Sequence, residues 1–183
     1  MRKISIIVPT YNEAENISNI LEAIRNVPTN KEVVIVDDQS NDGTIDVVKK
    51  LYDNYDSLKL LVRPKKMGLG SAYKDGLKLC SGDIIVEMDA DLSHNPYDLP
   101  ELIKALETVD VVIGSRHVDG GRIVGWDWYR KMVHYGANLL ARGLLGLEAK
   151  DVTSGFRAYK REAFERIVSF SRFDGFEFQM EAI

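Results

Sequence analysis

Cysteine is nearly absent. The single residue, Cys80, excludes an internal disulfide and a cysteine-ligated metal site, and fits a reducing compartment. No apolar run approaches the roughly 18 residues that a membrane-crossing helix needs. The start, Met1-Arg2-Lys3, passes at once into a short strand-like run, too short for the apolar region of a signal peptide. Positive charge is not in excess. Lys and Arg number 24 against 28 Asp and Glu, a net charge of -4, which argues against a dedicated nucleic-acid binder. There is no G-x-x-x-x-G-K-[ST], so a P-loop is excluded. A dinucleotide fingerprint needs three glycines after the first strand. Here Gly68 and Gly70 follow the third, and Tyr73 takes the last glycine's place. Internal repeats and low-complexity linkers are also missing.

What is present suits one domain with a real core: 183 residues, 45% hydrophobic and 28% charged. Apolar runs at 4–8, 32–36, 58–62, 84–88 and 109–114 have the length and composition of strands. Pro9 is expected to end the first, having no N–H for the ladder. Helical patterns at about 13–25, 44–51, 69–79 and 96–106 alternate with them. Asn12 is placed to cap the first, with Glu15 at the capping-box position. Such alternation predicts an α/β fold with a mostly parallel sheet. Beyond residue 115 the pattern changes to a loop, a long helix at 126–147, a strand-like stretch at 153–159 and helices at 160–168 and 175–183. The last helix meets the chain end without a cap, so a chain that continues in a longer protein is expected.

Polar residues gather where the strands end. Asp89 and Asp91 follow the most buried run, two residues apart, and in an extended chain they point the same way. Carboxylates ~4 Å apart repel by about 4 kcal/mol at an effective dielectric near 20. A proton, an arginine or a divalent cation must offset that, and a hard cation also holds phosphate. An Asx-rich turn capping the next helix accounts for the same pattern. Tyr11, Glu13, Asp37 and Asp38 offer a stacking ring and acceptors to a nucleoside, or simply cap helices. The loop Lys65-Lys66-Met67-Gly68-Leu69-Gly70-Ser71 admits close backbone approach at a helix start, which attracts anions. Arg116, Arg130, His134 and Arg157 lie in the part expected to cover the sheet edge, where they suit an anion or a surface. In the 126–147 helix, Trp126, Tyr129, Val133, Leu140, Leu144 and Leu147 form an apolar stripe beside basic residues. A membrane-surface helix and a plain core helix both carry such a stripe.

Together these residues resemble glycosyltransferase family 2. The matching motifs are Val8-Pro9-Thr10-Tyr11-Asn12-Glu13, Val36-Asp37-Asp38-Gln39-Ser40-Asn41-Asp42-Gly43-Thr44, Gly68-Leu69-Gly70 and Asp89-Ala90-Asp91. Met88-Asp89-Ala90-Asp91-Leu92-Ser93-His94, Gly114-Ser115-Arg116, Thr153-Ser154-Gly155-Phe156-Arg157-Ala158-Tyr159 and Gly175-Phe176-Glu177-Phe178-Gln179 resemble the family's polyprenyl-phosphate subgroup. The resemblance implies a GT-A fold, a Rossmann-like sheet flanked by helices. It implies one catalytic domain over 1–183, with a nucleotide-sugar half at 1–114 and an acceptor half at 115–183.

The implied reaction is metal-dependent, inverting transfer of mannose from GDP-mannose to dolichyl or polyprenyl phosphate. A UDP-sugar donor, a polysaccharide acceptor and a non-catalytic binding module stay open. By the same carry-over, Pro9, Tyr11, Glu13, Val36, Asp38, Lys66 and Gly68 hold the nucleotide. Asp89, Ala90 and Asp91 hold the diphosphate, and Asp89, Asp91 and Ser93 hold Mg²⁺ or Mn²⁺. Ser93 stands where the subgroup often has glutamine. Arg116, Arg130, His134 and Arg157 face phosphate, with Asp91, Arg116 and Arg130 carrying the chemistry. The implied location is peripheral, on the cytoplasmic face of a membrane, with no nucleic-acid partner.

Overall fold

The computed structural model describes residues 2–52, 57–115, 128, 151 and 154–182. Their strands are β1 (Ile4–Thr10), β2 (Lys31–Asp37), β3 (Leu58–Val62), β4 (Ile84–Glu87), β5 (Val111–Ile113) and β6 (Arg157–Lys160). They form one sheet in the order β3-β2-β1-β4-β6-β5. The ladders β1–β2, β1–β4 and β2–β3 are parallel; β4–β6 and β5–β6 are antiparallel. The parallel α/β half therefore matches the sequence expectation. Insertion of β6 between β4 and β5 was not legible, because nothing local records which strand a late segment will join.

Pleating sends alternate side chains to two core layers. Ile4, Ile6, Val8, Val33, Ile35 and Val86 meet Ile17, Ile20, Leu21 and Ile24 of α1 (Ile17–Asn26), Val48 of α2 (Thr44–Tyr52), and Leu99 and Leu102 of α4 (Leu99–Ala105). Ile7, Val34, Val36 and Ile85 meet Tyr73 of α3 (Leu69–Leu77), Phe164 of α5 (Arg161–Phe170) and Phe178 of α6 (Phe178–Glu181). Helices this short are marginal alone, so the buried faces hold them.

Two local expectations are corrected. Pro9 does not end β1, which runs on to pair Pro9 with Val36 and Thr10 with Asp37. The Thr10 carbonyl accepts from Asp38 on the β2 side, and the Ile7 carbonyl from Met88 on the β4 side. Alternation turns the Pro9 nitrogen toward β4, beyond that ladder's last pair at Ile7 and Glu87, so its missing N–H costs nothing. Asn12 does not cap α1, which starts at Ile17. Its Oδ1 instead accepts from the Asn41 N–H at 3.1 Å, tying the loop after β1 to the loop after β2.

Strand order reverses at β1, with β2 on one side and β4 on the other. An open α/β sheet binds ligands in the crevice at the carboxyl end of such a point.

Candidate active site

The crevice holds a cavity of about 590 Å³, ample for a small-molecule ligand. Its lining includes Pro9, Tyr11, Glu13, Asp38, Lys66, Gly68, Asp89, Ala90, Asp91 and Ser93. Ten of the sequence-derived site residues thus come together from four separate loops. Val36 and Arg157 lie elsewhere, fully buried. Val36 packs in the α3-side core. Arg157 donates through Nε to the Ser154 carbonyl at 2.7 Å and through Nη1 to that of Gln179. Arg116, Arg130, His134 and the 126–147 helix fall outside the described residues, apart from the exposed Trp128.

Neighbouring aspartates after β2 divide their roles. Asp37 is fully buried and accepts from Thr10 Oγ1 at 2.7 Å, Ser40 Oγ at 2.7 Å and Ser40 N–H at 2.8 Å. It closes the turn. Asp38 reaches the cavity and is gripped by Arg63, whose Nε and Nη2 both meet Oδ1, while Oδ2 accepts from the Met67 N–H at 3.2 Å. Arg63 also donates to Ser71 Oγ at 2.6 Å and the Gly68 carbonyl at 3.0 Å. The sequence reading missed Arg63, which lies next to β3 and is 25 positions from Asp38. Opposite, Lys66 Nζ sits 4.0 Å from the centre of the Tyr11 ring.

The glycine loop is not an open anion cradle. The Gly70 and Ser71 N–H groups donate to the carbonyls of Gly175 and Asp174 at 3.3 and 3.1 Å. Gly68 has φ +98°, and a Cβ there would strike the Asp174 backbone; one on Gly70 would lie 2.6 Å from Phe178 Cβ. Both glycines admit the 173–175 strap, which Lys74 Nζ holds through the Phe173 carbonyl and Asp174 Oδ1, each at 2.9 Å. The strap brings Gly175 and Phe176 to the cavity.

Asp89, Ala90 and Asp91 form the floor beyond β4. Gly155 packs on the Asp89 carboxylate so closely that a Cβ would lie 2.7 Å from Oδ2. Asp91 Oδ1 accepts from the Ser93 N–H at 3.0 Å. Among the described non-glycine residues, positive φ occurs at Asn12 (59°), Gln39 (57°) and Leu92 (62°), one in each loop after β1, β2 and β4. Unfavourable backbone of this kind clusters at ligand sites. Beneath Asp89, Glu87 accepts from Tyr159 Oη and Gln179 Nε2, each at 3.1 Å. Burial pushes its carboxyl up to about 7 against the pull of Arg157. Cys80 is likewise raised, to about 11, by burial, which leaves a poor nucleophile.

The lining carries four carboxylates, Glu13, Asp38, Asp89 and Asp91, against Lys66, the only ammonium or guanidinium group among the described lining residues. Among the described residues, a diphosphate entering this cavity meets more negative than positive charge. Among the described residues no three His, Cys, Asp or Glu side chains converge on one point as metal ligands. Two carboxylates at a cavity still suit a hard divalent cation that takes its other ligands from phosphate and water.

An α/β sheet of this order, with paired aspartates at its carboxyl edge, is the architecture of GT-A glycosyltransferases. A profile of glycosyl transferase family 2 matches residues 5–168, and the chain belongs to that family. It is 42% identical over 168 residues to the undecaprenyl-phosphate mannosyltransferase of Micrococcus luteus, covering 90% of this chain and 69% of that one. It is 42% identical over 170 residues to the dolichol-phosphate mannosyltransferase of Pyrococcus furiosus, covering 90% and 48%. A mannosyltransferase from Pyrobaculum calidifontis, solved with GDP-Man and Mn²⁺, superposes with a TM-score of 0.66 at 25% identity, over 91% of this chain and 46% of that one. The chain thus spans between about half and two thirds of the relatives it matches. No helix among the described residues is long and apolar enough to cross a membrane.

Proposed function

We propose that this chain transfers mannose from GDP-mannose to the phosphate of a dolichyl or other polyprenyl phosphate, with inversion at the sugar carbon. The observation that carries this is the meeting of Tyr11–Lys66, Asp38–Arg63 and Asp89–Asp91 in one crevice at the strand-order reversal. The names of the two 42%-identical relatives support the sugar and the lipid class. Pro9, Tyr11, Glu13 and Asp38 hold the nucleoside, with Val36 and Arg63 as the support behind them. Lys66 and Gly68 stand beside the nucleotide. Asp89 and Asp91 hold Mg²⁺ or Mn²⁺, with Ser93 at the exposed third position and Ala90 lining the floor. When bound, the cation neutralises charge growing on the departing diphosphate.

An acceptor phosphate has its second pKa near ~6, so it arrives mostly ionised and needs positioning more than a general base. Its oxygen bonds to the sugar carbon as the bond to GDP breaks. Arg116, Arg130 and His134 position that phosphate from the acceptor half at 115–183, and Arg157 braces the same half from within. The lipid acceptor places the chain at the cytoplasmic face of a membrane. The test is nucleotide release with Mg²⁺ or Mn²⁺ from GDP-mannose, UDP-glucose and UDP-N-acetylglucosamine, each with and without a short polyprenyl phosphate. Lipid-dependent release of GDP is expected. Release of UDP with the same lipid would replace the donor, and donor binding without turnover would remove the catalytic reading.

A further inference from the structure

His94 lines the cavity, yet its motif position assigns it no role. The ring is 10% exposed and stacks on Phe156, with centroids 5.3 Å apart and planes at 16°. Phe156 is itself buried, and its N–H donates to Ser154 Oγ at 3.2 Å. Ser154 Oγ in turn donates to the Gly114 carbonyl at 2.6 Å. The ring plane is thus set by a chain of contacts outside the Asp89–Asp91 loop. Within the loop, His94 Nδ1 accepts the Asp89 N–H at 3.1 Å. A nitrogen that accepts from a backbone N–H carries no proton, so the neutral ring bears its hydrogen on Nε2. Nε2 lies 3.6 Å from Asp89 Oδ2, near the carboxylate but beyond hydrogen-bond length. Gly155 packs against the same carboxylate, where an added Cβ would lie 2.7 Å from Oδ2.

We propose that His94 is a positioning residue for Asp89. Nδ1 clamps the Asp89 backbone and Nε2–H faces the Asp89 carboxylate, so that Asp89 meets a divalent cation in one orientation. This deepens the transferase reading and rests on it for the cation. The chemistry is that of a carboxylate–histidine pair behind a metal, with the order reversed: the carboxylate is the ligand and the imidazole orients it.

Two measurements test it. The first needs no ligand. Long-range ¹⁵N correlation spectra, with the His94 signals assigned by their loss in His94→Asn, should show the Nε2–H tautomer; an Nδ1–H tautomer overturns the proposal. The second titrates Mn²⁺ into the protein with GDP and follows free Mn²⁺ by electron paramagnetic resonance. His94→Phe keeps the stack on Phe156 and removes both nitrogens. Its Mn²⁺ affinity should fall about tenfold or more, while GDP affinity without metal stays within twofold. His94→Asn, whose Oδ1 can replace Nδ1 as acceptor, should fall between, and it decides the matter if His94→Phe does not fold.

Wild-type Mn²⁺ affinity in His94→Phe overturns the proposal, as does an equal loss of GDP affinity with and without metal. Failure of the wild type to take up Mn²⁺ with GDP would instead remove the transferase reading, and this inference with it. The tautomer result keeps those two failures apart.

Discussion

The two ends of the sheet treat their carboxylates in opposite ways. At the amino end, Glu32 on β2 is surrounded by partners. Lys3 Nζ lies at 2.8 Å, Lys59 Nζ at 3.1 Å, Ser5 Oγ at 2.6 Å and Ser81 Oγ at 2.8 Å. Burial pushes this carboxyl up, and the hydrogen bonds from Lys3, Ser5 and Ser81 more than offset it, leaving it well below the usual range. At the carboxyl end, Glu13, Asp38, Asp89 and Asp91 share one cavity with Lys66, while Arg63 is committed to Asp38. Below them Glu87 Oε1, Gln179 Oε1 and Tyr73 Oη are buried without a hydrogen-bond partner among the described residues. One end is closed and structural. The other gathers four carboxylates around one ammonium group among the described lining residues, and that cluster marks the site better than any single motif does.

The largest effect expected from breaking this contrast is on turnover. Asp89→Ala should lower metal-dependent nucleotide release by about 10²–10³-fold, with the thermal midpoint nearly unchanged; retained activity would remove Asp89 from the mechanism. The mirror experiment is Glu32→Ala. It should cost about 2 kcal/mol of stability in denaturant titrations and leave the rate per folded molecule alone. That figure is discounted from the cost of breaking a fully buried pair because Lys3 and Lys59 are each more than a third exposed. Gly155→Ala sits at the boundary. Its methyl would occupy the space of Asp89 Oδ2, so activity should drop about tenfold, or about 1.4 kcal/mol, with a smaller loss of stability.

The smallest effect is in pH dependence, and its two halves have opposite signs. Glu32 is depressed, so its contribution is complete above the ordinary carboxylate value of 4.5 and is lost as pH falls through its lower folded value. Glu87 is raised from 4.5 to about 7. Between those values the unfolded chain releases this proton while the folded chain keeps it, so stability falls as pH rises. Glu87→Gln should flatten the decline between pH 5 and 8 without altering the acid limb, and Glu32→Gln should do the reverse. Urea midpoints from pH 8 down through the acid limb below 4.5 check both.

Much of this was legible from residue order. β3 was expected at 58–62 and found there, and the apolar face of α1 is the one its spacing indicates. The Asp89-Ala90-Asp91 pattern after a buried run located the crevice. Legibility stopped wherever a polar group's partner is distant in sequence. The separation of Asp37 from Asp38 depends on Thr10 and Arg63. Gly68 and Gly70 looked like a cradle for phosphate, but a strap about 100 positions later fills that space. Arg157 looked like one more anion-binding arginine, yet β6 carries it into the core beside Glu87.

Sequence alone determined the periodicity, and with it the strands, the helix faces and the loops that carry carboxylates, because these depend on neighbours a few residues apart. Only the tertiary structure decided which partners those carboxylates meet and which of them face the cavity. A charge is compensated by whatever folding brings within a few ångströms, and for Glu32 and Asp38 those partners include residues 27 and 25 positions away.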